Sequence, residues 1–277
     1  MADLGALDHI FKAYDVRGTV PDQLDADLCE RIGAAVARFV LDGGGAERLL
    51  VARDMRPSGV ELAAAFAAGV QRLGLDVVDL GLASTDLMYF ASGTLDAPGA
   101  MFTASHNPAQ YNGIKLCLAG ARPVGEDTGL GEIKRLAAAG VETPPRPPGR
   151  MEAQNLLGPF AEHVRGFVDT SVLKPLKVVA DTANGMGGLV VPRVFDTLPF
   201  DLEVMYGELD GTFPNHPADP IQPENLRDLR ARVLATGADV GLAFDGDADR
   251  VFLVDDKGEP LSGSTTTAIV AKGILER

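Results

Sequence analysis

The sequence predicts an α/β protein with layered helices and largely parallel sheets, divided into two domains. Three observations predict this. The chain has 277 residues, and at about 150 residues per domain that length gives roughly two. Short apolar runs alternate with amphipathic ones throughout, the pattern of strands followed by covering helices. One stretch, residues 141–150 (VETPPRPPGR), carries Pro144, Pro145, Pro147 and Pro148. Proline lacks the N–H and fixes φ, so this run is neither a helix interior nor a central strand. It reads as a semi-rigid extended linker, and the domain boundary is placed there.

The elements follow in order. LLVARD (49–54) is a short apolar run ending in charge, a strand. SGVELAAAFAAGVQRLG (58–74) is an amphipathic helix, with Ser58 and Glu61 at capping-box spacing. DVVDLG (76–81), GAMFTAS (99–105) and GIKLCLAG (113–120) are candidate strands. Beyond the proline run, LKVVADT (176–182), LEVMYG (202–207) and ADVGLAF (238–244) read as strands. GGLVVPRVFDTL (187–198) and PENLRDLRARVLATG (223–237) between them have helical spacing. The similar rhythm of both halves suggests two related units.

Composition narrows the function classes. Hydrophobic residues make up 46% and charged residues 23% of the chain, enough to build a core and to exclude disorder for its bulk. The 25 basic and 39 acidic residues give a net charge of −14, which argues against a general nucleic-acid binder. An acidic protein binds a phosphorylated substrate only through a focused basic or metal site. No apolar run reaches the roughly 18 residues of a membrane span, so no membrane partner is expected. The opening MADLGALDHIF has no basic leader and no secretory pattern. Cys29 and Cys117 lack metal or redox spacing and suit reduced, packed thiols of a cytoplasmic protein.

Open parallel sheets place ligands at the carboxyl ends of their strands. Two polar clusters sit there. In the first, Asp245, Asp247 and Asp249 alternate with Gly246 and Ala248, and Arg250 follows. Three such close carboxylates repel one another without a cation, and hard oxygen donors suit Mg²⁺ or Ca²⁺. A calcium-binding helical loop wants Gly at its sixth position and Glu at its twelfth, where this chain has Arg250 and Asp256, so that motif is rejected. Arg250 beside a metal implies a second anion, such as a phosphate. The other cluster is Thr103-Ala104-Ser105-His106-Asn107-Pro108. It has no nucleophile elbow, and neighbouring Ser105 and His106 make a poor triad, so it is either a tight turn or a serine site of another kind. Asn112-Gly113 is a turn signal that would deliver Lys115 near the serine. Tyr14-Asp15-Val16-Arg17-Gly18 and Arg53-Asp54-Met55-Arg56 have side chains suited to anions, or to ordinary surface ion pairs.

FKAYDVRG, TASHNP, NGIK, FPNHPADP with PENL, and FDGDADR occur in one order along the chain. Together they resemble the α-D-phosphohexomutase superfamily, most closely its bacterial phosphomannomutase/phosphoglucomutase branch, over essentially the whole chain. The resemblance implies two α/β/α layered domains with mixed, largely parallel sheets, plus the start of a third domain. Residues 1–143 would form a phosphoserine-bearing domain I, 150–255 a metal-binding domain II, and 256–277 the start of domain III, with its remainder and domain IV absent. Ser105 would carry the transferable phosphoryl group. Asp245, Asp247 and Asp249 would bind Mg²⁺, joined by an oxygen on Ser105. Arg17, Lys115 and Arg250 would surround the phosphoryl group, and Lys115 and His106 are candidates for proton transfer. A hexose 1,6-bisphosphate would serve as activator and phosphoryl donor. The substrate would be a hexose phosphate, with mannose favoured and glucose allowed.

The pattern also departs from the family. Gly is common where Ala248 sits, and the extra methyl is harmless unless that residue needs positive φ. Pro217 and Ala218 stand where relatives often differ, and His216 is as readily structural as catalytic. A metal-dependent sugar phosphatase and a non-catalytic sugar-phosphate or metal-binding module are the alternative functions. As the catalytic half of a mutase, the fragment is expected to be weakly active or inactive alone. Its two domains would have to close on each other.

Overall fold

The computed structural model describes residues 4–44 and 46–275. They cluster into two compact units: the described residues up to 104 with 108–160, and 105–107 with 161 onward.

The first unit contains α1 (Leu4–Asp8), β1 (Val16–Thr19), α2 (Ala26–Asp42), β2 (Arg48–Arg53), α3 (Ser58–Arg72), β3 (Asp76–Leu82) and α4 (Thr85–Leu95). It continues with β4 (Gly99–Phe102), β5 (Tyr111–Leu118), β6 (Arg122–Pro123), α5 (Leu130–Ala139) and β7 (Met151–Ala153), and reaches into α6 (Leu157–Arg165). The sheet order is β1-β5-β4-β2-β3-β7, with β6 on β5. The strands β4, β2, β3 and β7 run parallel, and β5 is antiparallel to β1, β4 and β6. The central strands are apolar because helices cover them: Leu49, Leu50, Val77, Val78, Ala100 and Phe102 are all buried. Phe66 of α3 meets Phe102 edge-on, with ring centroids 5.4 Å apart.

The second unit contains β8 (Leu176–Asp181), α7 (Gly187–Phe195), β9 (Phe200–Met205), α8 (Arg227–Thr236), β10 (Val240–Phe244), β11 (Val251–Asp255) and α9 (Gly263–Leu275). Its sheet order is β11-β10-β8-β9. β9, β8 and β10 are parallel and β11 is antiparallel. Mixed α/β sheets are thus present on both sides, as the alternating pattern predicts.

Ser58 and Glu61 form no capping box. The cap position of α3 is Pro57, without a side-chain hydrogen bond. The Ser58 hydroxyl instead accepts from Asn112 Nδ2 at 2.9 Å. Asn112-Gly113 is not a turn. It lies inside β5, where Gly113 pairs with Arg17 of β1. A Cβ on Gly113 would come within 2.4 Å of the Val16 carbonyl oxygen, so this glycine serves close backbone approach.

The proline run has no regular secondary structure, bends at residues 145–146, and is fastened to the first unit. Arg72 Nη1 donates to Val141 O and Thr143 Oγ1, Gln71 Nε2 donates to Gly149 O, and the Gly149 N–H returns a bond to Gln71 O. β7 follows and pairs with β3.

Candidate metal and serine site

β10 ends at Phe244, and the acidic loop begins at its carboxyl end. Asp245 and Asp247 are fully buried, and Asp249 is half-buried. One ligand oxygen from each lies within 4.8 Å of the others. The loop closes on itself through Asp245. Its backbone oxygen accepts from the Ala248 N–H at 3.2 Å, and its Oδ1 accepts from the Arg250 N–H at 3.1 Å. Ala248 completes the curl at φ +58°, in the left-handed region. The methyl is therefore not harmless here, because an L-residue in that conformation is strained.

Gly246 is where other backbones come close. A Cβ there would fall 2.4 Å from the Ser105 carbonyl oxygen. The Gly246 oxygen accepts from the Met186 N–H at 2.8 Å, which ties the acidic loop to the turn that follows β8.

Ser105 belongs to the same compact unit as the aspartates, with His106 and Asn107. Its backbone is also left-handed, at φ +52°, a strained conformation of the kind that clusters at functional sites. The hydroxyl donates to Asp245 Oδ2 at 2.8 Å and accepts from Arg250 Nη2 at 2.7 Å. Arg250 also holds Asp245 Oδ2 through Nε at 2.9 Å, and Nη2 lies 2.6 Å from His106 Nδ1.

The electrostatics favour binding of a positive charge. Burial, and then the charges of Asp247 and Asp249, push the Asp245 carboxyl up to about 7, against the opposing pull of Arg250 and Ser105. All the donors are oxygens, in carboxylates that destabilise one another. This set fits a hard divalent cation such as Mg²⁺.

The other expected site residues sit in the first unit. Arg17 is on β1, half-buried and ion-paired with Asp15. Lys115 is on β5 opposite Met101, also half-buried. Arg56 is not a surface anion site. It is fully buried, with Nε 3.1 Å from Asp54 Oδ2 and Nη1 donating to the carbonyls of Pro108 and Tyr111. It therefore clamps the chain just after the serine loop, a role the sequence did not signal. A buried pair with every bond satisfied looks in sequence like any Asp-x-Arg. Cys29 and Cys117 are buried free thiols, and burial raises both pKa values. Among the described residues no helix is long and apolar enough to cross a membrane.

Fold and site together define a class: a two-unit α/β protein with a serine held against a carboxylate cluster suited to a hard cation. Residues 8–143 match phosphoglucomutase/phosphomannomutase alpha/beta/alpha domain I, and residues 159–258 match domain II. The chain belongs to the phosphoglucomutase/phosphomannomutase family. It is 41% identical over 269 residues to a protein named phosphohexose mutases from Xanthomonas campestris pv. campestris, covering 96% of this chain and 59% of that one. It is 39% identical over 276 residues to an Escherichia coli phosphomannomutase, covering 96% of this chain and 59% of the relative. A phosphoglucomutase/phosphomannomutase family protein from Burkholderia thailandensis, known from its crystal structure, superposes with a TM-score of 0.89 at 37% identity. That match covers 100% of this chain and 60% of the other. The chain thus spans about three-fifths of the length of these relatives.

Proposed function

We propose that the chain carries the phosphoryl-holding and cation-binding portion of a Mg²⁺-dependent phosphosugar mutase acting on hexose phosphates, with Ser105 as the residue that is phosphorylated. The observation that carries this reading is the Ser105 hydroxyl itself, 2.8 Å from Asp245 Oδ2 and 2.7 Å from Arg250 Nη2. The hydroxyl is aimed at the carboxylate cluster and already bonded to a cationic side chain. Asp245, Asp247 and Asp249 would hold the cation. When bound, Mg²⁺ would neutralise charge on the phosphoryl oxygens.

In the transfer, the bond between phosphorus and Ser105 Oγ breaks as a bond forms from the 6-hydroxyl oxygen of a hexose 1-phosphate. The hydroxyl proton leaves to a base. The resulting 1,6-bisphosphate returns its other phosphoryl group to Ser105, which leaves the 6-phosphate. Arg250 donates to the oxygen on which charge develops, the preorganised stabilisation that such a reaction needs. As the family resemblance implies, Arg17 and Lys115 would supply further positive charge, and Lys115 would carry the proton. His106 has its Nδ1 committed to Arg250. The names of the mutase relatives support a hexose phosphate, with mannose ahead of glucose.

The test is intact mass after incubation with hexose 1,6-bisphosphate and Mg²⁺. The native chain gains one phosphoryl group, and Ser105→Ala gains none. A Ser105→Ala chain that is still phosphorylated refutes the assignment. Steady release of inorganic phosphate indicates a phosphatase instead, and no phosphorylation of either chain indicates a binding module.

A further inference from the structure

His216 lies on the loop between β9 and α8, outside the groups assigned to phosphoryl transfer. Its side chain is only 14% exposed. Nε2 is 2.9 Å from Asp181 Oδ2, and Nδ1 is 2.9 Å from the backbone oxygen of Pro217. Both neighbours are acceptors. A neutral imidazole has one donor nitrogen and one acceptor nitrogen, so it would set a lone pair against an oxygen. Only the imidazolium satisfies both contacts. The surroundings favour that state. Asp181 faces the ring from β8 and Asp228 from α8. Tyr206 packs on it edge-on with centroids 5.4 Å apart, and its own hydroxyl donates to Asp228 Oδ2. Burial opposes the charge, but the Asp181 hydrogen bond and charge, the Pro217 oxygen and Asp228 together raise the pKa above its ordinary value.

The loop that His216 pins reaches the acidic loop by two routes. Asn215 Nδ2 donates to Asn184 Oδ1 at 2.8 Å, and Asn184 lies in the same turn as Met186, whose N–H donates to Gly246 O. Ala218, buried at 2% exposure, lies against Gly246, where an added Cβ would be 3.6 Å from the alanine methyl. Backbone strain concentrates on this path, with Ala183, Asn184, Tyr206 and Phe213 all at positive φ. Such strain persists only where surrounding contacts hold it.

We infer that His216 is a positioning residue whose imidazolium form latches the 213–220 loop to the end of β8 and so holds the acidic loop in its cation-binding shape. The inference rests on reading 245–249 as a cation site. As pH rises and the latch loses its proton, the second unit loses the brace, and cation affinity falls.

The experiment compares the native chain with His216→Gln and Asp181→Asn. Asp181→Asn keeps an oxygen for the Ala183 N–H, which now bonds Asp181 Oδ1, and can turn an amide donor toward Nε2. It removes the reason for the second proton. Long-range ¹H–¹⁵N spectra of the imidazole should show both nitrogens protonated in the native chain at pH 7.5. In Asp181→Asn the titration should fall to about 6.5 or below. Calorimetric Mg²⁺ titrations between pH 6 and 9 should show native affinity rising as Asp245, held up to about 7, ionises, and then declining as His216 deprotonates. His216→Gln should bind about tenfold more weakly at pH 7 and lack that decline, the size expected when a residue supporting metal ligands is lost. If His216→Gln does not fold, Asp181→Asn supplies the same comparison. A neutral His216 at pH 7.5, or variants with native affinity and native pH dependence, overturns the inference. Failure of the native chain to bind Mg²⁺ at any pH overturns the cation reading itself, an outcome distinct from binding that ignores the latch.

Discussion

The two units are ordered by different means. In the first, α2 buries Cys29, Ile32, Val36 and Val40 along one face, and α3 buries Leu62, Phe66 and Val70. These stripes continue into one apolar cluster with β2, β3, β4 and β5. In the second, α8 buries Leu229 and Val233, and α7 buries Gly187 and Val191. There, order at the strand ends comes from hydrogen-bonded loops, where Ser105, Ala183, Asn184, Tyr206, Phe213 and Ala248 are held at positive φ. Apolar burial builds a scaffold that tolerates little loss of volume. Loops of carboxylates, amides and strained backbone build a site, at the expense of local stability. Truncation should therefore hurt the first unit's stability, and charge removal should hurt the second unit's chemistry while relieving its fold.

The largest effect is expected in the first unit. Phe66→Ala should cost about 3–5 kcal/mol, read as a lower denaturation midpoint, because it empties the space against Phe102. A loss under about 1 kcal/mol would mean that this core collapses as readily as a thinner one.

The reverse case is Asp245→Asn. It should weaken Mg²⁺ binding by about 100-fold, equivalent to about 2.7 kcal/mol. It should also raise the melting temperature of the metal-free chain at pH 8. The sign follows from the carboxyl being held up to about 7 in the fold, against an ordinary value of 3.8. The folded state keeps a proton that the unfolded state has released, so metal-free stability falls as pH rises through that window. The substitution removes this fall, and saturating Mg²⁺ should flatten it in the native chain. A variant less stable than the native chain at pH 8 would break the contrast between the units.

The smallest effect sharpens the picture at one residue. Ala248→Gly should stabilise the second unit by about 1 kcal/mol, because glycine enters the left-handed region without the steric penalty. Thermal melts of the metal-free chain are the measure.

Much of this was legible in the sequence. The strands LLVARD, LKVVADT and ADVGLAF announced themselves by apolar runs, and the aspartates by a spacing that repulsion makes rare without a cation. What was hidden depended on partners distant in the chain. Asp54 and Arg56 read as surface charge because the carbonyls of Pro108 and Tyr111 that bury the pair lie more than fifty residues on. Asn112-Gly113 read as a turn because the local pair carries no sign of the β1 backbone beside it. Ser58 reads locally as a helix cap, but its partner is Asn112, 54 residues on. His216 remained open between structure and catalysis because its meaning lies in Asp181, 35 residues earlier.

The bond from Ser105 to Asp245 joins residues 140 positions apart. On a ribosome adding about 5–20 residues per second, the serine is made roughly 7–28 seconds before the aspartate that accepts its hydrogen bond. Throughout that interval the first unit's sheet can assemble, but the hydroxyl has no acidic loop to face. The site therefore cannot form before the acidic loop is made, and its birth is timed by translation as well as by folding.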